Sequence, residues 1–187
     1  GEFSLHVDQQ EPDLYGMIDS VYILHMLGAL TEYTDPSSRQ RWAERIIECQ
    51  DDQGWFAKKN HRGHSQEHAT AYAIAALKLL EVEDDEEYLS QIRPLNGIYP
   101  ILTQKSLFLQ WIDKLHFELN PKSILSKNLG WHYIWRSSHI GGGIAASTIM
   151  TSDLMAMWWP DKVNVEEWYD WYFDWLNAHV SSRTGYW

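Results

Sequence analysis

The stretch Gln50-Asp51-Asp52-Gln53-Gly54-Trp55-Phe56, followed by His68-Ala69-Thr70-Ala71-Tyr72-Ala73-Ile74-Ala75-Ala76-Leu77-Lys78-Leu79-Leu80, decides the fold. Before it, Arg39, Arg41, Glu44, Arg45 and Glu48 alternate with Trp42, Ile46 and Ile47, the pattern of an amphipathic helix with one wet face. Gly54 lets the backbone bend without steric cost beside the two large rings of Trp55 and Phe56. Ser65 suits an N-cap, and the helix predicted from Gln66 to Glu81 is rich in alanine, so neighbours can approach it closely from several sides. Trp42 to Leu80 thus forms one helix-loop-helix unit whose second helix lies inside.

Weaker copies of this unit lie on either side. From Leu14 to Tyr33 apolar residues recur at helical spacing, predicting a mostly buried helix that ends at Thr34-Asp35-Pro36-Ser37-Ser38. The acidic run Glu83 to Glu87 reads as the exposed start of a further helix, where negative charge complements the macrodipole. Residues 103–117 and 165–178 are amphipathic and read as outer helices. Gly130-Trp131 reads as a loop matching Gly54-Trp55, and Ser138-His139 opens a second small-residue helix through Gly141-Gly142-Gly143. Glycines disfavour a helix by about 1 kcal/mol each relative to alanine, so something must come close to that backbone.

Aligned, Tyr22, Leu24, Leu27 and Leu30 fall on Tyr72, Ile74, Leu77 and Leu80, while Ile74-Ala75-Ala76 falls on Ile144-Ala145-Ala146. Self-similarity of this kind marks units that cannot bury an apolar face alone. Gln50-x-x-x-Gly54-Trp55 followed by His68 to Leu77 resembles the repeats of the squalene cyclase and protein prenyltransferase superfamily. That resemblance implies an all-α fold, an α/α toroid with inner and outer rings of helices. The expectation is a single toroid domain or a fragment of one over residues 5–187, a partial array of about three hairpins, with residues 1–4 a cloning scar. The cyclases' Asp-x-Asp-Asp motif is missing, and Cys49 lacks the Asp two residues earlier that the prenyltransferase zinc pair has. An isoprenoid-processing activity therefore ranks third.

Composition narrows the partners. A net charge of −11 argues against nucleic acid, and no apolar run approaches the roughly 20 residues that cross a bilayer. A single cysteine rules out an internal disulfide and fits a reducing, cytoplasmic setting for a soluble protein. The 11 Trp, 10 Tyr and 5 Phe supply rings that either pack between helices or stack on sugar faces.

The chemistry-bearing residues concentrate in Asn60 to His68. His64-x-x-Glu67-His68 matches an inverted zincin motif, but among 9 histidines a five-residue match is weak, so neither metal nor cofactor is expected. In a toroid, His61, His64, Glu67, His68, Arg136 and His139 are expected to converge at one mouth as candidate catalytic groups, with Trp55, Tyr72, Trp131 and Trp135 as substrate-binding rings. A histidine base with a nearby arginine suits a polysaccharide lyase, and acids among Asp51, Asp52 and Glu67 would suit a glycosidase. The leading expectation is a cavity that acts on, or only binds, an oligosaccharide or other small molecule. The alternative is a non-catalytic scaffold for protein interaction. The remainder of a larger polypeptide or a second copy is expected to complete the ring.

Overall fold

The computed structural model describes residues 13–56, 64–84, 86–119 and 126–185, with side chains throughout except over 117–119 and 126–134. Among the described residues the protein is all-α, with nine α-helices and no strand: α1 (Leu14–Met26), α2 (Leu30–Tyr33), α3 (Pro36–Ile47), α4 (Gln66–Asp84), α5 (Tyr99–Thr103), α6 (Lys105–Leu119), α7 (Ser126–Met150), α8 (Ser152–Trp158) and α9 (Val165–His179). A 3-10 turn at Leu89–Gln91 follows α4.

The decisive stretch is organised by its buried glutamine. Gln50 Nε2 donates to the carbonyls of Gly54, at 2.9 Å, and Arg93, at 2.8 Å, while Gln50 Oε1 accepts from the Arg93 N–H at 2.6 Å. One carboxamide thus joins the turn to a segment 43 residues away. Asp51 Oδ1 accepts from the N–H groups of Gln53 and Trp55, and Phe56 N–H donates to the hydroxyl of fully buried Thr70 on α4. Gly54 has φ +87°, and a Cβ there would lie 2.3 Å from the Pro94 carbonyl oxygen. Glycine is required at this position by both conformation and space.

α4 packs on α1, α3 and α7. Contacts between α1 and α4 advance together along both helices, from Tyr15 with His68, through Tyr22 with Tyr72, to His25 with Glu83, so the two run parallel. The same holds for α4 and α7, where His64 meets Trp135 and His68 meets His139. By contrast Arg39, near the start of α3, meets Asp84, at the end of α4, so this pair is antiparallel. Phe108 with Trp168, Asp113 with Trp175 and His116 with His179 make α6 and α9 parallel.

Three expectations are corrected. The helix expected over Leu14 to Tyr33 is interrupted: Gly28, at φ +65°, lets its own N–H reach the His25 carbonyl and the Ala29 N–H reach the Leu24 carbonyl, closing off α1. Leu27 is consequently 73% exposed rather than buried. Gly130-Trp131 is no loop but lies inside α7, which starts at Ser126, twelve residues before Ser138. The acidic run does not open a helix either, since its first members end α4. There Asp84 is compensated by Arg39, both nearly sealed from solvent, with Arg39 Nε 2.6 Å from Asp84 Oδ1 and the Tyr88 hydroxyl donating to Oδ2. Arg39 also donates to the Thr34 carbonyl at 2.7 Å, so one guanidinium binds the start of α3 and the end of α4 together.

Replacing Gln50 with alanine strands the Arg93 N–H and the Gly54 carbonyl, and is expected to cost about 1–3 kcal/mol in urea unfolding. Gly54→Ala should cost more than about 1 kcal/mol, since alanine cannot adopt this φ without strain. Wild-type stability in either variant would contradict the role given to this turn.

Candidate functional site

Three helices carry the site. The Ser65 hydroxyl accepts the His68 N–H at 3.2 Å and its carbonyl accepts from Ala69, capping α4 as the sequence predicts. This places His64 just before the helix and His68 within its first turn. On α7, His139 stands one turn before Gly143. A Cβ on Gly143 would lie 2.5 Å from the carbonyl carbon and oxygen of Glu67 alike, and 2.7 Å from the His68 backbone nitrogen. The missing side chain therefore lets the first turn of α4 rest on α7, bringing His139 beside His68. Gly141 and Gly142 have nothing within 4 Å at the corresponding position, so only the third glycine of the run meets the close approach expected of it.

Ring centroids of His68 and His139 are 4.4 Å apart, those of His64 and His68 5.0 Å, and those of His64 and His139 5.7 Å. One ring nitrogen from each of the three lies within 4.8 Å of the other two. Trp135 presses edge-on to His139 at 4.0 Å and tilts against His64 at 5.4 Å. From α1, the Tyr15 hydroxyl lies 3.3 Å from His68 Nδ1, and its ring sits 4.9 Å from that of His64. Tyr72 stacks on Tyr22 at 4.6 Å and donates its hydroxyl to Asp19 Oδ1 at 3.1 Å.

Electrostatics follow from this crowding. Burial, then the neighbouring His139 and His64, hold the His68 imidazole down to about 4, and burial followed by His64 lowers that of His139. Burial pushes the Tyr15 phenol up, helped by the charge of Asp19, and likewise raises Tyr72 to about 12. At neutral pH His68 and His139 are therefore neutral imidazoles beside the protonated phenols of Tyr15 and Tyr72. His139 Nδ1 is buried with no hydrogen-bond partner among the described residues.

Of the residues singled out in the sequence, His64, His68, His139, Trp135 and Tyr72 are brought together. Arg136 is exposed on α7, three residues before His139. Glu67 is half-buried, and it is its main chain that lies under Gly143. Trp55 is buried with its ring against Gly97, leaving no open face there for a sugar. His61 lies outside the described residues, as does the side chain of Trp131. Sequence reasoning missed Tyr15 and Asp19. Their signal was a polar and aromatic stripe, Tyr15, Asp19 and Tyr22, at the spacing of one face of α1. A separate groove of about 1070 Å³, bordered by Leu102, Ile149, Asp153, Lys162, Glu166 and Trp171, includes none of the clustered histidines.

No protein-family model, curated protein or solved structure matches this sequence. No helix among the described residues is long and apolar enough to cross a membrane.

Two outcomes follow from the geometry. Gly143→Ala forces α4 off α7 and should destabilise the fold by about 1–3 kcal/mol, whereas Gly142→Ala, with open space before it, should stabilise α7 by up to about 1 kcal/mol. Equal effects in denaturant titrations would remove Gly143 from its role as the contact point. The second outcome concerns pH. His68 binds its proton more readily unfolded than folded, so the stability tied to its neutral form is complete above about 6.5 and is lost as pH falls toward 4. Between about pH 7.5 and about pH 5, the melting temperature of the wild type should therefore fall further than that of His68→Gln.

Proposed function

We propose that the protein is an incomplete α/α toroid whose inner helices are α1, α4 and α7, and that the converging ends of these helices bind an oligosaccharide. The parallel run of α1, α4 and α7, the antiparallel α3 and the parallel pair α6 and α9 all suit inner and outer rings of helices. The ligand reading rests on one observation: Tyr15, His64, His68, Trp135 and His139, drawn from three segments far apart in sequence, meet at one end of the inner layer. Packing alone gains nothing from placing three imidazoles in contact, because burying polar rings costs free energy unless they are paired. Trp135 and Tyr72 supply aromatic faces of the kind that stack on sugar rings. Arg136, on the α7 surface near His139, suits the carboxylate of an acidic sugar. With neutral His68 beside the Tyr15 hydroxyl, the site has the acid and base groups that elimination or hydrolysis requires.

The test is an array of neutral and acidic oligosaccharides read by binding and by appearance of unsaturated products. His68→Ala and His139→Ala are expected to abolish the binding found while leaving the melting temperature unchanged or higher, since residues kept for function rather than packing usually cost stability. Lower stability in both variants with no glycan bound would instead favour a protein-interaction scaffold, a role that exposed Ile23, Met26 and Leu27 on and beside α1 would suit.

A further inference from the structure

We infer that His64, His68 and His139 form a binding site for one divalent first-row transition metal ion, with zinc, nickel and cobalt as the fitting class. This deepens the ligand-site reading by naming the group that would act on the bound molecule, and it rests on the same cluster. The geometry comes first. Each histidine offers a ring nitrogen within 4.8 Å of the other two. A tetrahedral ion bound at about 2.0–2.1 Å needs its nitrogens about 3.4 Å apart. Small side-chain rotations close that difference, and His64, exposed on the turn before α4, has room to swing its ring inward. His68 and His139, held by the Gly143 contact, supply the fixed pair.

Two observations independent of the clustering point to an ion. His139 Nδ1 is sealed from solvent and has no hydrogen-bond partner among the described residues. Such a nitrogen is costly in an empty packing cluster, and a metal bond satisfies it. The second is the way His68 is held: its Nδ1 faces the Tyr15 hydroxyl at 3.3 Å, which leaves Nε2 for the cluster. A metal-ligating histidine ordinarily engages a hydrogen-bond partner through its other nitrogen, fixing ring orientation and tautomer. Tyr15 is thus a positioning residue, acting on the ion through His68.

The donor set also defines the metal. Three imidazoles with no thiolate suit zinc, nickel or cobalt over magnesium or calcium, which take oxygen ligands. Three protein ligands leave a fourth position for water or substrate, the arrangement of catalytic rather than structural zinc sites. A water held there would lose a proton far more readily than in bulk, and a sugar hydroxyl or carboxylate could replace it. The sequence expectation of no metal assumed that a cysteine or further carboxylates were needed to complete a site. His139, remote in sequence, fills that place.

The experiment uses tag-free protein stripped with a chelator and needs no sugar, so its failure is distinct from failure of the glycan reading. Zinc, nickel and cobalt are titrated singly by calorimetry, and cobalt is also followed by visible absorption for a four-coordinate nitrogen site. The expected result is one ion per protein molecule, affinity lower by at least about 100-fold in His68→Ala and in His139→Ala, and lower by about 10-fold in Tyr15→Phe. The substitution pair His116→Ala with His179→Ala, removing another histidine contact, should leave binding unchanged. Circular dichroism of each variant verifies its fold, and His139→Gln replaces any alanine variant that fails to fold. Absence of stoichiometric binding, binding that survives loss of His139 in a folded variant, or binding lost with His116 and His179 would overturn the site.

Discussion

Everything at the candidate site depends on one contact that has no side chain in it. The main chain of Glu67 and His68 lies against the spot where a Cβ on Gly143 would be, so α4 and α7 meet backbone to backbone there. A few residues on, Thr70 holds the Phe56 N–H, and at the far end of α4 the Asp84 carboxylate is clamped by Arg39. α4 is therefore fixed at its start by backbone contact, in its second turn by a hydroxyl and at its end by a buried ion pair. Breaking that pair from one side would leave an uncompensated buried charge, and the same guanidinium also donates to the Thr34 carbonyl.

The site inherits its character from that clamping. Imidazoles forced together repel when protonated and lose water when buried, and both effects keep His68 neutral. A neutral imidazole has a lone pair for a proton or a metal, so the packing that fixes the ring also sets its chemical state. Tyr15 does the reverse work from α1, remaining protonated because burial and Asp19 oppose its ionisation. The tyrosines continue the cluster along α1 and α4 through Tyr72 and Tyr22, ending in a carboxylate rather than open solvent.

Much of the helical order was legible because it rests on period and capping. The amphipathic helices α3, α6 and α9 were placed within a few residues, and Ser65 and Gly54 were assigned by the conformations they permit. Gly28 was passed over because Leu24, Leu27 and Leu30 keep helical spacing across it; apolar period masked a C-terminal cap. Gly130-Trp131 misled by analogy, since a glycine before tryptophan turns the backbone at Gly54 only because Gln50 and Pro94 hold it there. For the site, His64 and His68 are close in sequence and share the entrance to α4, but nothing local joins them to His139. That distance of 71 residues is closed by Gly143, whose role appears only once its neighbour is known. Trp55, read as an open ring, turned inward against Gly97, a position no periodicity specifies.

The side-by-side run of α1, α4 and α7 also governs how the protein comes apart. α1 packs on α4 and α4 on α7, and all three contribute side chains to one hydrophobic core, so their stabilities are coupled. α4 has a helix of this layer on both sides, whereas α1 and α7 are joined here on one. With partners on two sides, α4 should be the last of the three to open, and its amides should exchange with solvent more slowly than those of α1 or α7. The cluster straddles two of these seams, so a molecule bound across Tyr15, His68 and His139 would fasten both at once. Its binding would be felt as resistance to local opening in helices it barely touches.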